Sequence, residues 1–144
     1  MNINELKSAL QEAGVVGAGG AGFPTYAKLS EDADTVLLNA AECEPLTKVD
    51  RQLLIQNVRE ILGGMQLLVE TLGANEGIIA VKKSYTASID AISACIGEYQ
   101  KLRIHILPDV YPAGDEVVLI YEATGRVVPQ GKIPIVVGCV VVNV

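Results

Sequence analysis

Gly14-Val15-Val16-Gly17-Ala18-Gly19-Gly20-Ala21-Gly22-Phe23-Pro24-Thr25 is the most glycine-dense segment of the chain. Five glycines in nine residues cannot be the interior of a packed helix or strand, since each loses much backbone freedom on ordering and offers no side chain to bury. Such a run suits a place where backbone approaches a ligand and aims its N–H groups at an anion. The spacing Gly17-x-Gly19-x-x-Gly22 matches the dinucleotide-binding fingerprint, which follows a strand and opens a helix. Here the preceding residues, Ile3 to Ala13, read as a helix instead. Leu6, Leu10 and Ala13 share one face, and Asn2 with Glu5 forms a capping box. An ordinary Rossmann domain needs a strand ahead of Gly17. The other reading of the same glycines is a surface turn without a ligand.

Working outward, Thr35 to Ala41 (TVLLNAA) is a short apolar run suited to a strand covered on both faces. Glu42-Cys43-Glu44-Pro45 follows it, where ligands bind in open α/β sheets, so Asn39, Glu42 and Glu44 stand where polar contacts are made. A solvated acidic turn is the alternative. Leu53, Leu54, Val58, Ile61, Leu62, Met65, Leu68, Val69 and Leu72 recur at three and four, predicting one helix from about Val49 to Leu72. Thr47 and Asp50 supply its start, Gly73 its stop, and Gly63-Gly64 marks a close contact or slight bend. Arg51 in its first turn faces the wrong end of the helix dipole and calls for an acidic neighbour or a ligand phosphate.

Gly77 to Lys83 predicts the next strand, and Ser84 caps a helix carrying Ile89, Ile92, Ile96 and Tyr99. Leu102 to Leu107 is a third strand, on which the lone His105 reads as a strand residue. Pro108 to Glu116 is a loop with acids at the start of a helix, Val117 to Ala123, closed by Gly125. The β-branched run Ile135 to Val144, interrupted by Gly138-Cys139, predicts a last strand. The alternation implies a three-layer, Rossmann-like α/β domain with a mostly parallel sheet and a glycine-rich loop preceded by a helix.

The 144 residues, half of them hydrophobic and 19% charged, suit one folded domain and exclude disorder. A net charge of −6 disfavours nucleic acid and anionic membranes as partners, so any bound phosphate must be held locally. No apolar run reaches the ~18 residues a membrane span needs. The start has neither the charge nor the apolar stretch of a signal peptide, which points to the cytoplasm. Cys43, Cys95 and Cys139 lie more than forty residues apart and form no metal motif. Cys95 and Cys139 read as buried apolar residues, whereas Cys43 is open to packing or to a redox role.

Three separated segments, GVVGAGGAGFPTYAKL, NAAECEPLTKVDR and YPAGDEVVLIYEATGRVVP, together resemble the N-terminal flavin- and nucleotide-binding domain of the C-type subunit of Rnf electron-transport complexes. The same domain occurs in cobalamin-reductase-like and proline-reductase-associated proteins and in the respiratory NADH dehydrogenase flavoprotein. The resemblance covers nearly the whole chain. It implies FMN in the crevice, NADH as electron donor, and single electrons passed to redox partner subunits or domains carrying iron–sulfur clusters outside this region. Residues 1–144 would then be the FMN/NADH-binding domain at the N-terminal end of a longer iron–sulfur flavoprotein, possessing NADH:acceptor oxidoreductase activity and peripheral to a membrane complex.

By position, the resemblance implies that Gly17, Gly19, Gly20 and Lys28 lie along the flavin, its phosphate or the incoming nucleotide. Asn39 and Glu42 would contact the cofactor from the second loop, Tyr111, Gly114, Asp115 and Glu116 from the third, and Asn143 from the last strand. Phe23 and Glu44 match positions that meet the nicotinamide nucleotide. No protein base or metal is implied, because the chemistry belongs to the cofactor. Where the respiratory flavoprotein has an arginine in the glycine loop this chain has Ala18, and where that protein reads NADESEP it has Ala41 in place of a carboxylate. Both departures are those of the Rnf-type branch. They also leave open a docking or scaffold module of a redox complex that binds no flavin itself.

Overall fold

The computed structural model describes residues 1–17, 22–44 and 46–144. Helix α1 (Ile3–Glu12) begins at the expected capping box: Glu5 N–H donates to Asn2 Oδ1 at 3.0 Å, and Asn2 N–H to Glu5 Oε2 at 2.9 Å. It drives Leu6 into the core, with Ile3 and Leu10 against it. Gly14 then turns the chain in the left-handed region, at φ +66°. The glycine loop departs and returns through a narrow antiparallel neck. Gly17 N–H donates to Phe23 O at 2.8 Å, and Thr25 N–H to Val15 O at 3.1 Å. One helical turn, α2 (Thr25–Lys28), leads on to the sheet.

Strands β1 (Thr35–Ala40), β2 (Glu76–Lys82), β3 (Leu102–Leu107) and β4 (Cys139–Asn143) form one sheet, ordered β3-β2-β1-β4, with every pair parallel. The chain steps outward from β1 to β2 to β3, then crosses back to place β4 on the other side of β1. That reversal makes the β1/β4 junction the switch point of a doubly wound sheet, with a crevice beyond the strand ends. In register, Asn39 of β1 stands beside Asn143 of β4.

Alternation along the strands divides the interior in two. Val36, Leu38 and Ala40, with Ile79, Val81 and Val140, pack against α1, α3 (Val49–Gln56), α4 (Val58–Leu72) and α5 (Thr86–Cys95). Leu37, Ala41, Ile78, Ala80, Cys139 and Val141 face the other way, against α6 (Glu116–Thr124). The three-layer α/β architecture expected from the sequence is therefore present. Cys95 and Cys139 are buried, as expected. No helix among the described residues is long and apolar enough to cross a membrane.

The structure corrects several local expectations. The single helix from Val49 to Leu72 is two, broken at Asn57 (φ −123°, ψ 27°), whose amide donates to Glu60 at 2.7 Å. Short polar side chains that bond locally compete with the helix ladder in this way. Gly63 and Gly64 lie inside the unbroken α4, and a Cβ on either would meet nothing within 4 Å, so neither is a bend or a tight contact. Helix α3 starts after Lys48 without a side-chain cap from Thr47 or Asp50. Tyr85, not Ser84, precedes α5; the Ser84 hydroxyl donates instead to Asp109 at 2.7 Å. Helix α5 stops at Cys95, and Ile96–Glu98 is a 3-10 turn.

The β-branched run from Ile135 is strand only from Cys139. Pro134–Val137 is a 3-10 turn with proline in its first turn, closed by Gly138 at φ +74°. The Gly138 carbonyl then accepts from Asp34 and Thr35 N–H at 2.9 and 3.1 Å, which feeds β4 in beside β1.

Candidate functional site

A cleft of about 630 Å³ opens at the β1/β4 switch point, on the face of the sheet covered by α6. Its size falls in the range of small-molecule and cofactor sites. Asn39 and Asn143 form its floor, side by side. The Asn39 amide is fixed twice: its nitrogen donates to Gly114 O at 2.8 Å, and its oxygen accepts from Ala41 N–H at 3.1 Å. Asn143 turns its amide nitrogen toward Gly17, 3.9 Å from where a Cβ on that glycine would stand.

The loop after β3 meets the loop after β1 at Gly114. A side chain there is sterically impossible without movement, because its Cβ would overlap the Ala41 carbonyl oxygen and lie 2.6 Å from Cys43 Sγ. Glycine at 114 therefore lets two backbones touch and close one side of the cleft. On the opposite side Lys28 Nζ donates to Val141 O at 3.3 Å, with Glu116 Oε1 at 3.9 Å and the Phe23 ring centroid at 5.8 Å. The ammonium is thus held at the mouth of the glycine loop.

The remaining wall is acidic. Glu42, Glu44 and Asp50 line it with Thr47 and Val49, so among the described lining residues Lys28 is one cation against four carboxyl groups, Glu116 included. Burial, followed by the nearby Asp50 charge, pushes the Glu42 carboxyl above its ordinary value, while Arg51, the Asp50 N–H and Lys82 pull it down. Asp50 is likewise raised by burial. One Glu42 carboxyl oxygen, Oε2, is buried without a partner among the described residues. A carboxyl group kept partly desolvated in a cleft is a candidate ligand contact.

Of the residues singled out from the sequence, Gly17, Phe23, Lys28, Asn39, Glu42, Glu44, Gly114, Glu116 and Asn143 share this cleft. Gly19 and Gly20, with Ala18, lie outside the described residues. Tyr111 is 83% exposed and does not line the cleft. Asp115 caps α6, its carboxylate accepting from Val117 and Val118 N–H at 3.0 and 3.2 Å. His105 sits on β3 away from the lining, its pKa lowered mainly by burial. Asp50 and Thr47 also line the cleft, although in the sequence they read as a helix start. Their acidic and hydroxyl character beside Glu42 was the available signal. Cys43 lines the cleft half-buried, 3.8 Å from Ala41 O.

A parallel sheet with a cleft at its switch point, Gly17 and Gly22 at one rim and paired amides on its floor has the architecture of nucleotide-type cofactor-binding α/β domains. Residues 10–144 match the Nuo51 FMN-binding domain, and the chain belongs to that family. The family resemblance carried by the three sequence segments is thereby established.

The chain is similar to the cobalamin reductase PduS of Salmonella typhimurium, with 48% identity over 144 residues, covering all of this chain and 32% of that protein. It is also similar to the C-type subunit of the Na(+)-translocating ferredoxin:NAD(+) oxidoreductase complex of Acetobacterium woodii, with 38% identity over 148 residues, covering 100% of this chain and 33% of that protein. Among solved structures, the NAD+-reducing NiFe hydrogenase in its H2-reduced state superposes with a TM-score of 0.83 at 27% identity, covering 99% of this chain and 29% of that one. The chain thus spans about a third of the length of these relatives.

Proposed function

We propose that this domain holds FMN in the switch-point cleft, receives hydride from NADH there, and passes electrons to iron–sulfur centres of partner domains or subunits outside these 144 residues. The observation that carries the reading is the in-register Asn39/Asn143 pair under a cleft rimmed by Gly17, Lys28 and Gly114. The domain would form the N-terminal part of a longer iron–sulfur flavoprotein. Relatives about three times as long, named as reductases and redox-complex subunits, support that assignment. So does a solved neighbour named for NAD+ reduction.

The donor set suits the cofactor. A flavin ring edge alternates donors and acceptors, and an amide offers both, so Asn39 and Asn143 can meet it without a charge mismatch. The unpartnered Glu42 Oε2 supplies a further acceptor, or a donor when protonated. Lys28 provides the local positive charge that a phosphate requires in an acidic chain. Gly19 and Gly20 would bring backbone N–H groups close to it, while Gly17, whose own N–H is bonded to Phe23 O, leaves the rim free of a side chain. Bound FMN supplies the conversion between two-electron and one-electron transfer. The chain's own part is to bind and orient: Phe23 offers a face for the nicotinamide, and Glu44 a polar contact at the rim. From the third loop Glu116, which lines the cleft beside Lys28, would contribute directly, and Asp115 would act through the α6 N-terminus it caps; Tyr111 stands outside the lining.

Titration of the purified chain with FMN, followed by flavin absorbance and calorimetry, tests this directly. The expected result is one FMN per chain, bleached on addition of NADH. Asn143→Ala is expected to weaken FMN binding about tenfold, the scale of a lost hydrogen bond to a desolvated partner, without altering the fold. Absence of FMN binding by the folded chain overturns the reading and leaves the docking-module alternative. Binding without bleaching by NADH overturns only the choice of donor.

A further inference from the structure

Behind the acidic wall, both ends of the segment from Glu42 to Thr47 are tied to one buried aromatic ring. At its start, the Glu42 carbonyl accepts from Lys82 Nζ at 2.7 Å and from the Tyr85 hydroxyl at 3.4 Å. At its end, the Thr47 carbonyl accepts from Arg51 Nη2 at 3.3 Å. The Arg51 guanidinium lies over the Tyr85 ring, 4.5 Å from its centroid, and the Ser88 hydroxyl donates to the Arg51 carbonyl at 3.3 Å. Tyr85 is only 7% exposed. None of Lys82, Tyr85 and Arg51 lines the cleft.

We infer that Arg51, seated on Tyr85, is a positioning residue that clamps the 42–47 segment and so places the Glu42 carboxyl group in the cleft. The dipole problem noted for Arg51 is resolved by this arrangement, since the ring face and the Thr47 carbonyl replace the ligand phosphate as its partners. A cation over an aromatic ring is worth more when desolvated, and a planar guanidinium stacks where an ammonium cannot. Arg51 Nε is itself buried without a partner among the described residues, as is Glu42 Oε2. The charged and titratable groups acting on Glu42 are Asp50 and Arg51 from α3, Lys82 from β2, and Tyr85, which precedes α5. Lys28, Glu44 and Glu116 face the same cleft. The consequence for ligand binding rests on the FMN reading, whereas the clamp itself does not.

The test compares Arg51→Gln, Arg51→Lys and Tyr85→Phe by backbone hydrogen exchange, by NMR titration of the Glu42 carboxyl in the ligand-free chain, and by FMN affinity. Arg51→Gln is expected to speed exchange within residues 42–47 about tenfold, leave the sheet protected, and weaken FMN binding by a similar factor. It also moves the Glu42 titration upward, because a nearby positive charge is lost. Arg51→Lys returns the Glu42 titration to its original place but leaves the segment exchanging fast, separating charge from stacking. Tyr85→Phe keeps the ring under Arg51 but removes the hydroxyl that meets the Glu42 carbonyl, so it is expected to speed exchange less than Arg51→Gln and at the Glu42 end only.

Unchanged exchange in 42–47 in a folded Arg51→Gln or Arg51→Lys chain overturns the clamp. Faster exchange with undiminished FMN affinity overturns the positioning role. If Arg51→Gln fails to fold, Arg51→Lys carries the same exchange test. A parent chain that takes up no FMN defeats the flavin reading alone, since the exchange and titration results still decide the clamp.

Discussion

Two hollows flank the end of β4, one on each face of the sheet, and they share Gly17, Lys28, Val141 and Asn143 in their walls. The hollow on the side of α1 and α4 measures about 400 Å³ and is lined by Leu6, Leu10, Ile61, Leu68, Val142 and Val144 among others. The other is the polar cleft described above. Because successive strand residues point to opposite faces, Val142 and Val144 line the apolar hollow alone, while Asn143 at the strand end reaches the cleft as well. The apolar hollow lies where the core thins out: Leu6, Leu38 and Met65 of its lining belong to the main hydrophobic cluster, and Leu10, Ile61, Leu68, Val142 and Val144 pack against it. The cleft differs in kind: Glu42 Oε2 is buried there without a partner among the described residues, and the Glu42 and Asp50 carboxyl groups are partly desolvated, so its acidic wall costs stability unless something is bound. An empty space in a fold is informative in proportion to the cost of maintaining it.

The contrast predicts opposite responses to adding atoms on the two sides. The largest effect is expected at Gly114, where Val would drive Cβ into the Ala41 carbonyl and Cys43. Forcing the two loops apart is expected to cost about 3 kcal/mol, lower the melting temperature by on the order of 10 °C, and remove the Asn39–Gly114 bond with it. FMN binding should be lost at the same time. Thermal melts and an FMN titration of Gly114→Val check this; a variant that melts like the parent would show that the loops have slack.

On the apolar side the sign reverses. Gly64 sits in the α4 interior and lines the apolar hollow, and its added Cβ would meet nothing within 4 Å. Gly64→Ala is therefore expected to stabilise the chain by about 1 kcal/mol through helix propensity, raising the melting temperature by about 3 °C. FMN affinity should not change. A fall in FMN affinity would mean that the two hollows act as one site.

The same contrast explains what was legible in the sequence. Features set by near neighbours were readable: the Asn2–Glu5 capping box, β3 at Leu102–Leu107, and the left-handed Gly125 closing α6. The helix break at Asn57 was hidden because apolar spacing continues through it from Leu54 to Val58 and Ile61. The 3-10 turn at Pro134–Val137 was hidden by β-branched residues whose preference Pro134 and Gly138 override. Convergence of the three loops was foreseen through family resemblance and through the strand-end rule. The Asn39–Asn143 pairing depends on β4 returning to the far side of β1, which no local pattern encodes. The Tyr85–Arg51 clamp joins residues 34 positions apart and was equally invisible, although Arg51 had already stood out as misplaced in its helix.

The smallest expected effect concerns what the acidic wall does to stability. Glu42 is raised above its ordinary pKa mainly by burial and by Asp50, so the folded state binds its proton more tightly than the unfolded chain does. The stability associated with that proton is fully present below the unfolded pKa and is lost as pH rises through the folded one. At neutral pH the ionised carboxyl therefore destabilises the ligand-free fold. Glu42→Gln, which cannot ionise, should melt slightly higher than the parent near pH 7, and the difference should shrink toward zero as the pH is lowered past the Glu42 titration.

Asp34 provides the opposite control. The Arg126 guanidinium, bonded at 2.6 Å, holds its carboxyl below the ordinary value, so its contribution is present above the unfolded pKa and disappears as pH falls through the folded one. Asp34→Asn should accordingly melt lower than the parent at pH 7 and converge with it in acid. Melting curves across pH for the two variants should thus bend in opposite senses. If Glu42→Gln instead lowers stability at pH 7, the carboxylate is satisfied in the free protein, and the cleft is not held open at a cost.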